Sequence, residues 1–111
     1  MATPTDAERA ERDRIAAQLA KAGFALPGTL LERRKACGKA GCRCQADPPR
    51  LHGPYHQWTR KIHGKTVTRR LTAEQAAHYG PWFDEARRLR GLLDQLETLS
   101  LRIYERYQQP H

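Results

Sequence analysis

The sequence has 111 residues, of which 39% are apolar and 29% are charged, and its formal net charge is +8 at neutral pH. This length predicts one domain over residues 1–111 with a modest core, because two separate domains would each be too small to bury much. Neither an apolar run of 18 residues nor a basic start followed by an apolar segment is visible, so we expect a cytoplasmic protein with no membrane span.

The first predicted element is a helix over residues 5–22. Thr3 or Thr5 can cap it: Pro4 suits a first helical turn, Thr5 and Glu8 have the spacing of a capping box, and Gly23 supplies a stop. Its apolar stripe is thin and rich in alanine: Ala7, Ile15, Ala16, Leu19 and Ala22. Such a stripe can pack closely against a partner but cannot form a core alone.

Extended structure is predicted for the middle of the chain. Residues 29–36 favour a strand that leads into Cys37, and the two prolines in 47–49 indicate a loop. Segments 55–62 and 65–71 are rich in Thr, Val, Ile and aromatic residues and flank a His-Gly pair, which is typical of a β-hairpin. We therefore expect about three antiparallel strands.

Alternation along the hairpin sorts its side chains onto two faces. One face carries His56, Trp58, Arg60, Ile62, Lys65, Val67, Arg69 and Leu71, and the other carries Tyr55, Gln57, Thr59, Lys61, Thr66, Thr68 and Arg70. Because the first face holds the larger apolar side chains, we expect it to pack inward.

The last predicted element is a long C-terminal helix from residue 72 to about 108. Thr72 and Gln75 form a second capping box, and Gly80-Pro81 predicts a kink or a restart. Apolar residues then recur with a heptad pattern: Trp82, Ala86, Leu89, Leu93, Leu96, Ser100, Ile103 and Tyr107, widened by Phe83, Leu92, Leu99 and Tyr104. This width favours the first helix on one side and a second copy of the chain on the other, in a homodimer through 82–107. The alternative is that the whole stripe belongs to the core of one chain.

The predicted fold is therefore α+β. An N-terminal helix lies in 1–25, a basic zinc-binding β unit in 26–71, and a kinked helix, helical hairpin or dimerisation segment in 72–109. Because the core is modest, we expect a crosslink such as a bound metal ion to stabilise the β unit.

All three cysteines lie within eight residues, in the pattern C-x4-C-x-C formed by Cys37, Cys42 and Cys44. A lasting disulfide is not expected in a reducing compartment, so the cluster favours metal binding. Zinc takes four tetrahedral nitrogen or sulfur ligands, and either His52 or His56 can supply the fourth. We favour His52, because its position in the loop before Gly53 lets it turn back towards the cysteines.

The main alternative to a metal site is a set of uncoordinated structural thiols, and two further interpretations of the cluster are weaker. A catalytic thiol would need a histidine and an acid arranged around one sulfur, and no such arrangement is visible. A catalytic zinc would need a general base, but Asp47 is the only nearby acid and the deaminase pattern is absent. The sequence therefore predicts a structural zinc site and no enzyme activity.

The positive charge is concentrated around these cysteines. Residues 32–71 hold eleven basic and two acidic residues, a net charge of +9, whereas the flanks sum to −1. This distribution predicts nucleic-acid binding, with DNA favoured over RNA, although Tyr55 or Trp58 could stack on RNA bases. The predicted contacts are Arg33, Lys35, Lys39, Arg43, Arg60, Lys61, Lys65, Arg69 and Arg70. The alternative is a protein-interaction module that binds a DNA-processing partner through the C-terminal helix.

The stretches CGKAGCRC, LHGPYH and GKTVTRRL, followed by a leucine-rich helix, resemble a family of small uncharacterised bacterial proteins with a CGKxxCxC and HGPY signature. The resemblance covers about residues 26–101. It implies a bacterial protein, in some cases associated with mobile DNA, whose signature positions are Cys37, Cys42, Cys44 and His52. This chain has His56 where an aromatic residue is more usual in the family, which argues against His56 as a ligand.

Overall fold

A computed structural model describes residues 1–106, which form two helices and one three-stranded antiparallel sheet. The elements in chain order are α1 (Asp6–Leu19), β1 (Thr29–Lys35), a 3-10 turn (Arg43–Gln45), β2 (His52–Ile62), β3 (Lys65–Leu71) and α2 (Ala73–Glu105). This confirms the predicted α+β class. Within the described residues, neither helix has the length and apolar character needed to cross a membrane.

Both predicted capping boxes are present. The Thr5 N–H donates to the Glu8 carboxylate at 2.8 Å, and the Thr5 hydroxyl accepts from the Glu8 N–H at 3.1 Å. Thr72 and Gln75 make the same pair of bonds at 2.9 and 3.0 Å. These bonds satisfy backbone donors that the first helical turn leaves open, which explains why the two helix starts were predictable.

The predicted restart at Gly80-Pro81 is wrong, since α2 is one helix of 33 residues with Pro81 inside it. Pro81 removes one backbone hydrogen bond, whereas the good helix formers further away, in 73–77 and 85–90, keep theirs. The hairpin alternative is therefore also wrong for the described part of this segment, residues 72–106. Tyr107 and the predicted helix end at about 108 lie outside the described residues.

The chain divides into two compact units. The first, called the helical unit, is Met1–Phe24 together with α2 from Asp84 onward. Ile15 of α1 packs with Leu92 and Leu99 of α2, and these three side chains are 3–9% exposed. Helix α1 thus packs on the apolar stripe of α2 as expected, through the Leu92 and Leu99 side of that stripe.

A polar cluster secures the C-terminal end of α1 within the helical unit. The Glu85 carboxylate accepts hydrogen bonds from the Arg88 guanidinium at 2.7 and 2.9 Å and from the Gly23 N–H at 2.7 Å. Arg88 also donates to the Gln18 carbonyl at 3.2 Å. Because α1 ends at Leu19, three residues earlier than predicted, these bonds hold the segment that follows the helix.

The second unit, called the sheet unit, is Ala25–Phe83. Its strands lie in the order β1-β2-β3, with Trp58 of β2 opposite Leu30 and Arg69. The Trp58 ring meets Phe83 edge to face, with 5.6 Å between ring centroids, and its Nε1–H donates to the Pro27 carbonyl at 2.8 Å. The predicted inward face is thus confirmed at Trp58.

Burial on this inward face decreases toward the hairpin turn. Leu71 is 9% exposed, whereas Ile62 beside the turn is 38% exposed. The expectation that Ile62 packs inward is therefore wrong. The apolar side chain lies at the free end of the hairpin, where the rest of the unit does not cover it.

We predict that the Glu85 cluster makes stability depend on pH in the acid range. Hydrogen bonds from Arg88, and then from the Gly23 backbone, lower the pKa of Glu85 from 4.5 to about 2. A lowered pKa contributes stability above the unfolded value of 4.5, and this contribution is lost as pH falls from 4.5 towards 2. Glu85→Gln should therefore lower the melting temperature at pH 7. The difference in melting temperature between this variant and the parent should shrink as the pH falls from 4.5 towards 2.

Glu97→Gln is the matched control, because Glu97 is an exposed carboxylate of the same helix. Thermal melts followed by circular dichroism from pH 7 to pH 2 measure both variants against the parent. A deficit for Glu85→Gln that stayed constant over the whole range would contradict the assignment.

Candidate functional site

The connection between β1 and β2 brings the three cysteines together. Cys37 follows β1 by two residues, Cys42 precedes the 3-10 turn, and Cys44 lies within that turn. The Gln45 side chain donates to the Cys37 carbonyl at 2.8 Å, and the Arg50 N–H donates to the Arg43 carbonyl at 3.1 Å. These bonds return the chain to His52, the first residue of β2.

The four predicted ligands form one cluster, called the clasp: Cys37, Cys42, Cys44 and His52. Their donor atoms all lie within 4.8 Å of one another. The Cys37 and Cys44 sulfurs are 3.5 Å apart, and the Cys42 sulfur is 3.1 Å from His52 Nε2. Tetrahedral ligands at about 2.3 Å from a metal are separated by about 3.8 Å, so the four atoms fit one metal ion.

His56 does not belong to this group. It lies in β2 opposite Glu32 of β1 and Leu71 of β3, on the face that carries Trp58. His52 instead pairs with Lys35 at the end of β1, next to the cysteine loop. The strand geometry therefore brings His52, rather than His56, to the three sulfurs.

Gly53 allows β2 to begin at His52, three residues before the predicted start. Its φ is +123°, and a Cβ at this position would lie 2.7 Å from the Arg33 carbonyl oxygen of β1. Only glycine combines this conformation with so close an approach of the two strands. The Gly-Pro pair suggested a loop, and only the neighbouring strand makes it part of the sheet.

Hydrogen-bond donors lie close to the sulfurs of the clasp. The backbone N–H of Cys37 donates to the Cys44 sulfur at 3.2 Å. The pKa of Cys42 is lowered to about 6, first by the backbone N–H of Cys44, then by the thiols of Cys37 and Cys44, and also by His52. A thiolate forms readily at such a position near neutral pH, and thiolates are the metal-binding form of cysteine.

Cys37 experiences the opposite net effect. The backbone N–H of Lys39 favours its thiolate, but the nearby thiols of Cys44 and Cys42 raise the pKa of Cys37 overall. Several sulfurs cannot all carry negative charge at this distance without a cation between them. A bound metal cation would remove the conflict, so the donor set fits a metal better than it fits three free thiols.

The predicted nucleic-acid contacts are distributed over three locations in the sheet unit. Lys39 and Arg43 lie in the connection between β1 and β2, among the cysteines of the clasp, and Lys35 lies at the end of β1 beside it. Arg60, Lys65 and Arg69 lie on the Trp58 face, and Arg60 stacks its guanidinium on the Trp58 ring at 4.4 Å. Arg33, Lys61 and Arg70 lie on the opposite face.

That opposite face is called the open face. The strand register places ten residues on it in four rows: Arg33 and Tyr55; Leu31, Gln57 and Arg70; Thr29, Thr59 and Thr68; Lys61 and Thr66. The Arg70 guanidinium lies 4.3 Å from the Tyr55 ring centroid, and the Thr59 and Thr68 hydroxyls are 3.4 Å apart. Sequence alternation separates the two faces of the hairpin, but it does not show that Arg70 stacks on Tyr55 or that Leu31 joins the row of Gln57.

We predict that His52 and His56 contribute differently to metal binding. His52→Ala removes one of four donors and should weaken binding by more than the about 10–100-fold typical of losing an outer hydrogen bond. His56→Ala, a change of the same side chain in the same strand, should leave binding unchanged. Titration of the reduced protein with Co²⁺, followed by the thiolate-to-cobalt absorption, measures both. Equal affinities for the two variants would contradict the ligand set.

Comparison with known proteins is consistent with an uncharacterised family. Neither a curated protein nor a solved structure matches the chain. One family model does match, over residues 5–79, which span α1, the whole sheet and the start of α2. The resemblance expected over about 26–101 thus begins earlier, at the cap of α1, and ends earlier, within α2. Because the match covers more than half of the 111 residues, the chain belongs to the family described as "Domain of unknown function (DUF6788)".

Proposed function

We propose that this protein is a small, zinc-stabilised, basic nucleic-acid-binding protein, with double-stranded DNA as its partner and an accessory or regulatory role. The observation that carries the proposal is the separation of charge between the two units. The sheet unit, Ala25–Phe83, contains eleven basic and three acidic residues, a net charge of +8. The remainder of the chain contains nine residues of each sign.

Ion pairing strengthens this separation. The salt bridges found within residues 1–106 all belong to the helical unit, where Arg12, Arg87, Arg88, Arg102 and Arg106 meet carboxylates. None of the nine predicted contact residues takes part in them. The basic side chains of the sheet unit therefore remain available to neutralise phosphates, and phosphate neutralisation dominates affinity for DNA.

Zinc is the metal that the donor set favours. Three soft thiolates and one imidazole suit zinc, whereas iron-sulfur clusters usually take four cysteines. Four protein donors also fill a tetrahedral shell and leave no position for water, which is typical of structural rather than catalytic zinc. Zinc with three thiolates carries a charge of −1, so the sheet unit keeps about +7 when it is loaded.

The second candidate function is a protein-interaction module that acts through α2. Its support is the exposure of three large side chains in the helical unit: Leu93 is 50%, Leu101 is 54% and Tyr104 is 62% exposed. A DNA-processing protein or a second copy of the chain could cover them. The charge separation does not follow from this alternative, and for that reason we place it second.

We predict that the purified protein contains about one zinc per chain and depends on it for stability. Removal of zinc leaves thiolates facing one another and releases the β1–β2 connection. Chelation should therefore lower the melting temperature by about 10 °C or more, and zinc should restore it. Elemental analysis with thermal melts checks both points. A chain with far less than one zinc, or one that melts identically after chelation, would contradict the zinc proposal.

We predict a steep salt dependence of duplex DNA binding. If about four of the nine basic residues meet phosphates, affinity should fall by about 10²-fold between about 50 and 200 mM monovalent salt. Fluorescence anisotropy with a labelled duplex of random sequence measures this slope. Failure of the zinc-loaded protein to bind at low salt would overturn the DNA proposal and favour the protein-interaction module.

A further inference from the structure

The open face differs from the Trp58 face in what covers it. Phe83 of α2 contacts Trp58 on one side of the sheet. On the other side Leu31 is 42% exposed, and Arg33, Lys61 and Arg70 are exposed as well. A sheet face of three strands that is left uncovered in its own unit is available to a partner.

The charge and chemistry of the open face indicate a partner rich in phosphate. Among its ten positions three are basic and none is acidic, because Glu32 of β1 lies on the Trp58 face. The remaining side chains are mainly threonine hydroxyls, one amide and one tyrosine, all of which form hydrogen bonds without introducing negative charge. This combination complements a polyanion that also presents hydrogen-bonding groups.

One row of the open face, Leu31, Gln57 and Arg70, contains residue types that read base edges. Gln57 lies in the middle strand between Leu31 and Arg70. Arginine bonds the major-groove edge of guanine at two points, and glutamine does the same with adenine. Stacking on the Tyr55 ring at 4.3 Å orients the Arg70 guanidinium before a partner arrives, which reduces the entropy lost on binding.

The dimensions of the sheet also agree with a groove. Adjacent strands are about 4.8 Å apart, and the major groove, about 12 Å wide, admits a two-stranded ribbon such as β2–β3, which carries Gln57 and Arg70. Basic side chains flank the row of Gln57 along the strands: Arg33 lies one row towards the clasp, and Lys61 lies two rows towards the hairpin turn. Phosphates border the groove on both sides, where such residues can reach them.

We infer that the open face of the sheet enters the major groove of duplex DNA, with Gln57 and Arg70 on base edges and Arg33 and Lys61 on phosphates. This inference rests on the proposed DNA-binding function and assigns that function to one of the two faces. The Trp58 face then supports the reading surface from the other side of the sheet.

Arg69 and Arg70 offer a matched test. They are neighbours in β3, both are exposed, and their side chains lie on opposite faces, so Arg69→Ala and Arg70→Ala remove the same charge from nearly the same place. On a duplex selected for tight binding, Arg70→Ala should weaken affinity by about tenfold or more, whereas Arg69→Ala should weaken it by less than about threefold. Zinc content and melting temperature, compared with those of the parent, show that both variants are folded.

A second measurement needs no variant. In the zinc-loaded full-length protein, addition of the selected duplex should shift the methyl NMR signals of Thr59 and Thr68 on the open face more than that of Val67 on the Trp58 face. If Arg69→Ala is as damaging as Arg70→Ala, or if Val67 shifts most, the open face is not the reading surface, although DNA binding stands. If the parent binds no duplex at all, the proposed function fails. Tighter binding of single-stranded RNA than of duplex would overturn the major-groove assignment.

Discussion

The architecture of the sheet unit depends on the closure between the end of β1 and the start of β2, where Lys35 pairs with His52 and the four donors of the clasp converge. The apolar core of this unit is small, since its buried residues are Cys44, Leu71, Ala76 and Phe83. A core of this size holds three strands only weakly, and a metal held by the clasp would join the β1–β2 connection to β2 and offset the deficit. Gly53 permits the closure, because any side chain there would collide with the β1 backbone.

The two units use charge in different ways. In the helical unit basic and acidic residues balance and pair, and the Glu85 cluster joins the end of α1 to α2 through Arg88 and the Gly23 backbone. In the sheet unit the basic residues greatly outnumber the acids. Repulsion among these cations destabilises an isolated sheet, and a phosphate backbone would relieve it. The same charge that makes a structural crosslink useful also makes a polyanionic partner favourable.

Successive side chains of a β-strand point to opposite faces of the sheet, so one short strand can pack against the core with one face and present polar side chains on the other. In β3 the odd positions 67, 69 and 71 face Trp58, and the even positions 66, 68 and 70 face outward. Apolar side chains on the first set support the sheet, whereas Thr68 and Arg70 on the second set stay exposed. The basic residues on these strands are therefore not equivalent: Arg60 stacks on the Trp58 ring, whereas the basic residues of the open face are exposed on the uncovered side of the sheet.

Sequence by itself determined the elements whose signals are local. The caps at Thr5 and Thr72, the hairpin turn at His63-Gly64 and the cysteine cluster each depend on residues a few positions apart, so pattern was sufficient to locate them. Only the tertiary structure decided features that depend on distant neighbours. It brought His52 rather than His56 to the sulfurs, paired the Gly53 segment with β1, buried Leu92 and Leu99 rather than Leu93, and stacked Arg70 on Tyr55. It also kept α2 continuous through Pro81, because the loss of one hydrogen bond is small beside the many that the rest of the helix retains.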